Sequence, residues 1–189
     1  MVDLWGIVWL GFVGYSMASQ YPEAVEKLVL GCSGVCLEEK DMKNGMFQVK
    51  SVDEAVSILL VKLSFYKPAK HVPSCFLNDF IDVMCTVNHQ ERKELIEALH
   101  NNRKFADLPK ITQPTLIIWG EYDQIFPLEL AHRLKRHLGE NAQLVIIKDV
   151  GHAINMEKPK ELYKHLKSFL LDSRPHTKEN SNGNIDKLD

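Results

Sequence analysis

A chain of 189 residues with 45% hydrophobic content has enough apolar material for one globular domain with a core. Its net charge is −2 and its basic residues are scattered, so neither nucleic acid nor an acidic membrane surface is implied as a partner. Four cysteines, Cys32, Cys36, Cys75 and Cys85, match neither a zinc knuckle nor a C-x-x-C redox pair, so they read as free thiols of a reducing, cytoplasmic compartment.

No charged residue occurs from Leu4 to Pro22, a length that could suggest a signal peptide or a membrane span. Asp3 stands where a basic leader would be, and Gly6, Gly11, Gly14, Ser16, Ser19 and Gln20 interrupt the run. A buried strand remnant near Met1–Trp5 and a buried helix from Gly11 to Tyr21 are expected instead, the helix stopped by Pro22. Leu28-Val29-Leu30 ends in Gly31, the pattern of a parallel strand covered on both faces.

From Glu38 to about Leu108 the charge rises and helical spacing takes over. Val52, Val56, Leu59, Leu60 and Leu63 share one helix face, with further apolar groups at Phe76–Met84 and Leu95–Leu99. Strand-type runs return at Thr115–Gly120 and Leu144–Ile147, with a helix at Leu128–Leu138 between them and Gly139 as its cap. Pro159 can open a last helix. Arg133, Lys135 and Arg136 form the densest basic group and read as a solvated helix face. Residues 172–189 are polar and without periodicity, the composition of a disordered tail.

Strands alternating with helices at this spacing predict a parallel sheet. Two loops follow strand ends, where such sheets place their sites. One runs Gly120-Glu121-Tyr122-Asp123, the other Asp149-Val150-Gly151-His152. A carboxylate on the first can orient a histidine on the second, which then acts as a base. The other histidines show no metal-ligand spacing, and no metal or cofactor is expected. Ser16 reads as a helix-packing serine, Ser33 as a loop residue, and Cys32 and Cys36 as inert thiols.

The phrase Leu116-Ile117-Ile118-Trp119-Gly120-Glu121-Tyr122-Asp123 with Pro127 resembles the acid loop of α/β-hydrolases. Gly151-His152 followed by Glu157-Lys158-Pro159 resembles their histidine loop and final helix, and Tyr21–Leu30 the passage after the nucleophile elbow. Gly11-Phe12-Val13-Gly14-Tyr15-Ser16-Met17-Ala18 resembles the plant hydrolases similar to monoacylglycerol lipases and epoxide hydrolases.

This resemblance implies the C-terminal part of an α/β-hydrolase fold, with about three to four parallel strands, flanking helices and a helical cap. It divides the chain into 1–37, the remnant of elbow, helix and strand; 38–108, the cap; 109–171, the C-terminal core; and 172–189, the tail. It makes Asp123 and His152 the triad acid and base. It puts Val8 at the nucleophile position and Trp9 at the residue whose backbone N–H would serve the oxyanion hole. Valine has no nucleophilic atom, and a β-branched side chain tolerates the strained elbow poorly.

The strands that precede the elbow in the family are missing here, which implies an N-terminally truncated chain or a true start further upstream. Two functions follow. One is a hydrolase of small hydrophobic esters or epoxides, inactive as encoded, its triad vestigial. The other is a non-catalytic product that binds a small hydrophobic ligand or a partner. The sheet would then begin at an unpaired edge open to self-association, and helix Gly11–Ala18 would lose one covering surface.

Overall fold

The computed structural model describes residues 2–7, 10–38, 41, 62–67, 75, 79, 91, 94 and 104–172, with residues 2–7 and 10 described by their backbone alone. The expected cap over 38–108 lies largely outside the described residues, as do the expected tail, Val8 and Trp9. Among the described residues no helix is long and apolar enough to cross a membrane.

Four strands pair in parallel in chain order: β1 (Val2–Ile7), β2 (Val25–Gly31), β3 (Thr115–Gly120) and β4 (Ala142–Ile147). This is the expected sheet of three to four parallel strands. Every residue of β3 is buried, as its unbroken apolar run requires of a strand covered on both faces. β4 alternates less cleanly and exposes Gln143 and Ile146, as suits the edge of the described sheet.

Helix α1 (Leu10–Gln20) connects β1 to β2 and buries Phe12, Tyr15 and Ala18. The expectation that this helix is left uncovered is corrected: among its described large apolar residues, only Val13 is exposed. The returning chain at 109–113 covers it, with the Tyr15 hydroxyl donating to Pro109 O at 2.6 Å and Gln113 Nε2 donating to Ala18 O at 2.8 Å.

Helix α2 (Leu128–Leu138) buries Leu130, Ala131, Leu134 and Leu138 and ends at Gly139. A short α3 (Ile154–Glu157) leads to α4 (Pro159–Lys167), with proline at its first turn. A π-helical turn, Ser168–Asp172, closes the described chain. Its carbonyls at Phe169 and Leu170 accept from the buried Lys27 Nζ at 2.8 and 3.1 Å, which pins this turn to β2.

Arg133 also departs from the sequence expectation. It does not lie on a solvated face. Its guanidinium donates to Asp41 Oδ2 at 2.6 Å, to Glu38 Oε2 at 3.3 Å and to Cys36 O at 3.2 Å, and it lies over the Phe105 ring at 4.7 Å. The planar guanidinium thus joins α2 to residues at both ends of the 38–108 stretch. Arg136, by contrast, is exposed and meets Glu129 at 2.6 Å, its hydrogen bond holding that carboxyl below the usual range.

Candidate active site

The ends of β2, β3 and β4 bring three loops together. Register alone puts Gly31 beside Ile118 and Gly120 beside Ile147. The loop after β3 is then zipped to the loop after β4: Glu121 N–H donates to Ile147 O at 2.9 Å, and Tyr122 N–H to Val150 O at 3.0 Å. Asp149 N–H donates back to Glu121 Oε2 at 3.1 Å.

Asp123 sits in this junction with its side chain fully buried, and the His152 side chain is 10% exposed. Asp123 Oδ2 lies 2.8 Å from His152 Nδ1. An ionised carboxylate only accepts, so Nδ1 carries the proton and Nε2 is left as the acceptor. Oδ1 accepts the N–H groups of Ile125 and Phe126, each at 2.9 Å. The turn role of an aspartate and its pairing with histidine are therefore met together, one by each oxygen.

The turn is braced from below. Trp119 Nε1 donates to Phe126 O at 2.9 Å, and the Phe126 ring meets the His152 imidazole edge-on at 5.6 Å between centroids. Trp119 is fully buried, so its N–H needs a partner, which the Phe126 carbonyl supplies.

Cys32 is the residue that sequence reasoning set aside. It follows β2 with a positive φ of 42°, and its N–H donates to Ile118 O at 3.0 Å. Its sulfur, a carboxylate oxygen of Asp123 and a ring nitrogen of His152 lie within 4.8 Å of one another. Burial first, and then the charge of the Asp123 carboxylate, push the Cys32 thiol well above its ordinary value. The thiol is thus held neutral beside Asp123. As a metal site the trio fits poorly: Asp123 Oδ2 and His152 Nδ1 already share a proton at hydrogen-bond distance. The strand-end position is legible in the sequence, but the positive φ is not.

Beside the pair is a small cleft of about 10 Å³, lined by Cys32, His152, Ile154 and Leu162 among others. That volume holds about one water molecule, not a substrate.

A carboxylate-oriented histidine at the C-terminal edge of a parallel sheet, with the acid ahead of the histidine in the chain, is the arrangement of hydrolases that run a nucleophile–histidine–acid relay. The chain has the α/β-hydrolase fold, and the family described as alpha/beta hydrolase fold matches residues 84–159, which include both members of the pair. The likenesses to known proteins support the same superfamily. The bovine (Bos taurus) monoacylglycerol lipase ABHD6 is 27% identical over 187 residues, covering 90% of this chain and 54% of the bovine protein. The human enzyme is 29% identical over 125 residues, 65% of this chain and 36% of its own length.

A solved structure of a candidate lipase from Acinetobacter baumannii superposes with a TM-score of 0.72 at 29% identity, covering 90% of this chain and 60% of that one. This chain spans about half the length of the bovine relative.

Proposed function

We propose that the chain carries the acid–base half of a site for small hydrophobic esters or epoxides, with Asp123 and His152 as its acid and base. With Val8 at the nucleophile position, it forms no acyl-enzyme. One observation carries this reading: the buried Asp123 carboxylate at 2.8 Å from His152 Nδ1, its other oxygen held by two backbone N–H groups. In such a relay the histidine takes a proton from the nucleophile through Nε2, and the acid holds the tautomer. The resemblance to the plant hydrolases, and the monoacylglycerol lipases among the relatives, support an ester as the ligand class. The free thiols of Cys32, Cys36 and Cys75 support a reducing compartment such as the cytoplasm.

Valine at position 8 favours a second reading, in which the site binds a hydrophobic ligand without turning it over. Self-association of the chain would be a further form of the same non-catalytic role.

Treatment of the purified chain with a fluorophosphonate probe tests the proposal. No serine adduct is expected by mass spectrometry; an adduct mapped to any serine would overturn it. Calorimetric titration with a non-hydrolysable ester analogue then separates the ligand-binding reading from an empty site.

A further inference from the structure

The residues flanking His152 both send their N–H groups out of their own loop. Gly151 N–H donates to Glu157 Oε2 at 2.7 Å, and Ala153 N–H donates to Ser64 O at 2.9 Å. The same Glu157 carboxylate accepts the Tyr66 N–H, at 3.1 Å to Oε1 and 3.2 Å to Oε2. One side chain therefore satisfies two amides that belong to no helix or sheet ladder. A carboxylate suits this, since it only accepts and has two oxygens to offer.

The contact is close enough to exclude anything between the backbones. A Cβ placed on Gly151 would lie 2.7 Å from Ser64 O and 2.9 Å from Tyr66 N. The Tyr66 ring stacks on Tyr122 with centroids 4.3 Å apart, one residue before Asp123. Residues 64–66 thus touch both of the loops that carry the pair.

We propose that Glu157 is the positioning residue of His152. It sets the imidazole against Asp123 by holding Gly151 N–H, and it ties that setting to residues 64–66 through Tyr66 N–H. A ligand or substitution that displaces residues 64–66 thereby changes the aim of His152. The inference rests on Asp123 and His152 being the acid–base unit, but not on any turnover. A serine adduct in the fluorophosphonate experiment would overturn the proposed function and leave this inference standing.

The test is nuclear magnetic resonance of the full-length, ¹⁵N-labelled chain, reading the His152 Nδ1 proton. Glu157→Ala is expected to speed its exchange with water by about tenfold, the effect of losing roughly one hydrogen bond. Glu157→Gln keeps one acceptor oxygen and is expected to fall between the two. A merely structural glutamate would lower the unfolding midpoint and leave that proton's exchange unchanged, which overturns the proposal. Should Glu157→Ala fail to fold, amide exchange in the unmodified chain decides. Tyr66 and Gly151 share one acceptor, so their amides are expected to exchange within about threefold of each other. Tyr66 exchanging about a hundredfold faster than Gly151 would overturn the coupling.

Discussion

Gly120 and Gly151 approach so closely that a Cβ on Gly120 would lie 2.0 Å from the Gly151 carbonyl oxygen. Both glycines stand next to the functional loops, one ending β3 and one preceding His152. Their missing side chains let the acid loop lie flat on the histidine loop. Gly120→Ala must push the two loops apart. We expect a loss of about 3 kcal/mol, at the upper end for overpacking, measured by urea unfolding. The His152 Nδ1 proton should lose its protection in the same variant.

Asp123→Asn separates the two jobs of that side chain. The amide oxygen can still accept from Ile125 and Phe126, so the turn survives. Its NH2 group then faces Nδ1 and selects the opposite tautomer, as it cannot accept there. The expected outcome is a folded chain, weakened by about 1–3 kcal/mol, in which the Nδ1 proton resonance is gone. A retained resonance would contradict the geometry.

The thiols should sort by burial. Cys75 is exposed, whereas Cys32 and Cys36 are buried. Burial and the Asp123 carboxylate both keep Cys32 neutral, and a neutral thiol is a poor nucleophile. Ellman's reagent is expected to modify Cys75 in the folded chain and to reach Cys32 only on unfolding. Cys32→Ala removes a buried side-chain atom beside Asp123 and should cost about 1 kcal/mol.

Tyr15 makes stability depend on alkaline pH. Burial, with Cys36 as a smaller cause, pushes its phenol above the ordinary value of about 10. A raised value in the folded state favours the neutral form. That stability is complete below about pH 10 and is lost as pH rises through the folded value. Tyr15→Phe loses the bond to Pro109 O and should cost about 1 kcal/mol at neutral pH. Unfolding curves between about pH 8 and 11 should then fall less steeply for the variant than for the parent chain.

Arg133→Ala should cost about 2 kcal/mol, because it removes the cation shared by the Asp41 and Glu38 carboxylates. Arg136→Ala, whose partner Glu129 is exposed, should change stability by less than about 0.5 kcal/mol. A thermal or urea series comparing the two variants checks the contrast.

Much of the fold was legible from local pattern. Leu28-Val29-Leu30 and Leu116–Trp119 are unbroken apolar runs, and both are buried strands. Gly139 and Pro159 mark the end of α2 and the start of α4. The site was legible in part. Asp123 and His152 were found from their place after strands, and they lie at hydrogen-bond distance. Cys32 was read as an inert thiol, in keeping with its burial, but its place beside Asp123 was missed because nothing around it in the sequence speaks of a residue ninety-one positions away. Arg133 was misread because its partners, Asp41 and Glu38, come from the far side of the 42–104 stretch. A helix-face pattern knows only its own helix.

By itself the sequence determined the described strands and helices of the core and their parallel pairing, and it pointed to Asp123 and His152. Those depend on burial on both faces of a strand, on helix-ending residues and on loop position, all short-range properties. Only the tertiary structure decided that Cys32 lies beside Asp123 and His152, that Arg133 joins α2 to the chain at 36–41, and that Glu157 holds Gly151 and Tyr66 together. The reason is register. Parallel strands align where both faces pack best, and that alignment, with Gly31 beside Ile118 and Gly120 beside Ile147, chooses which loop ends meet.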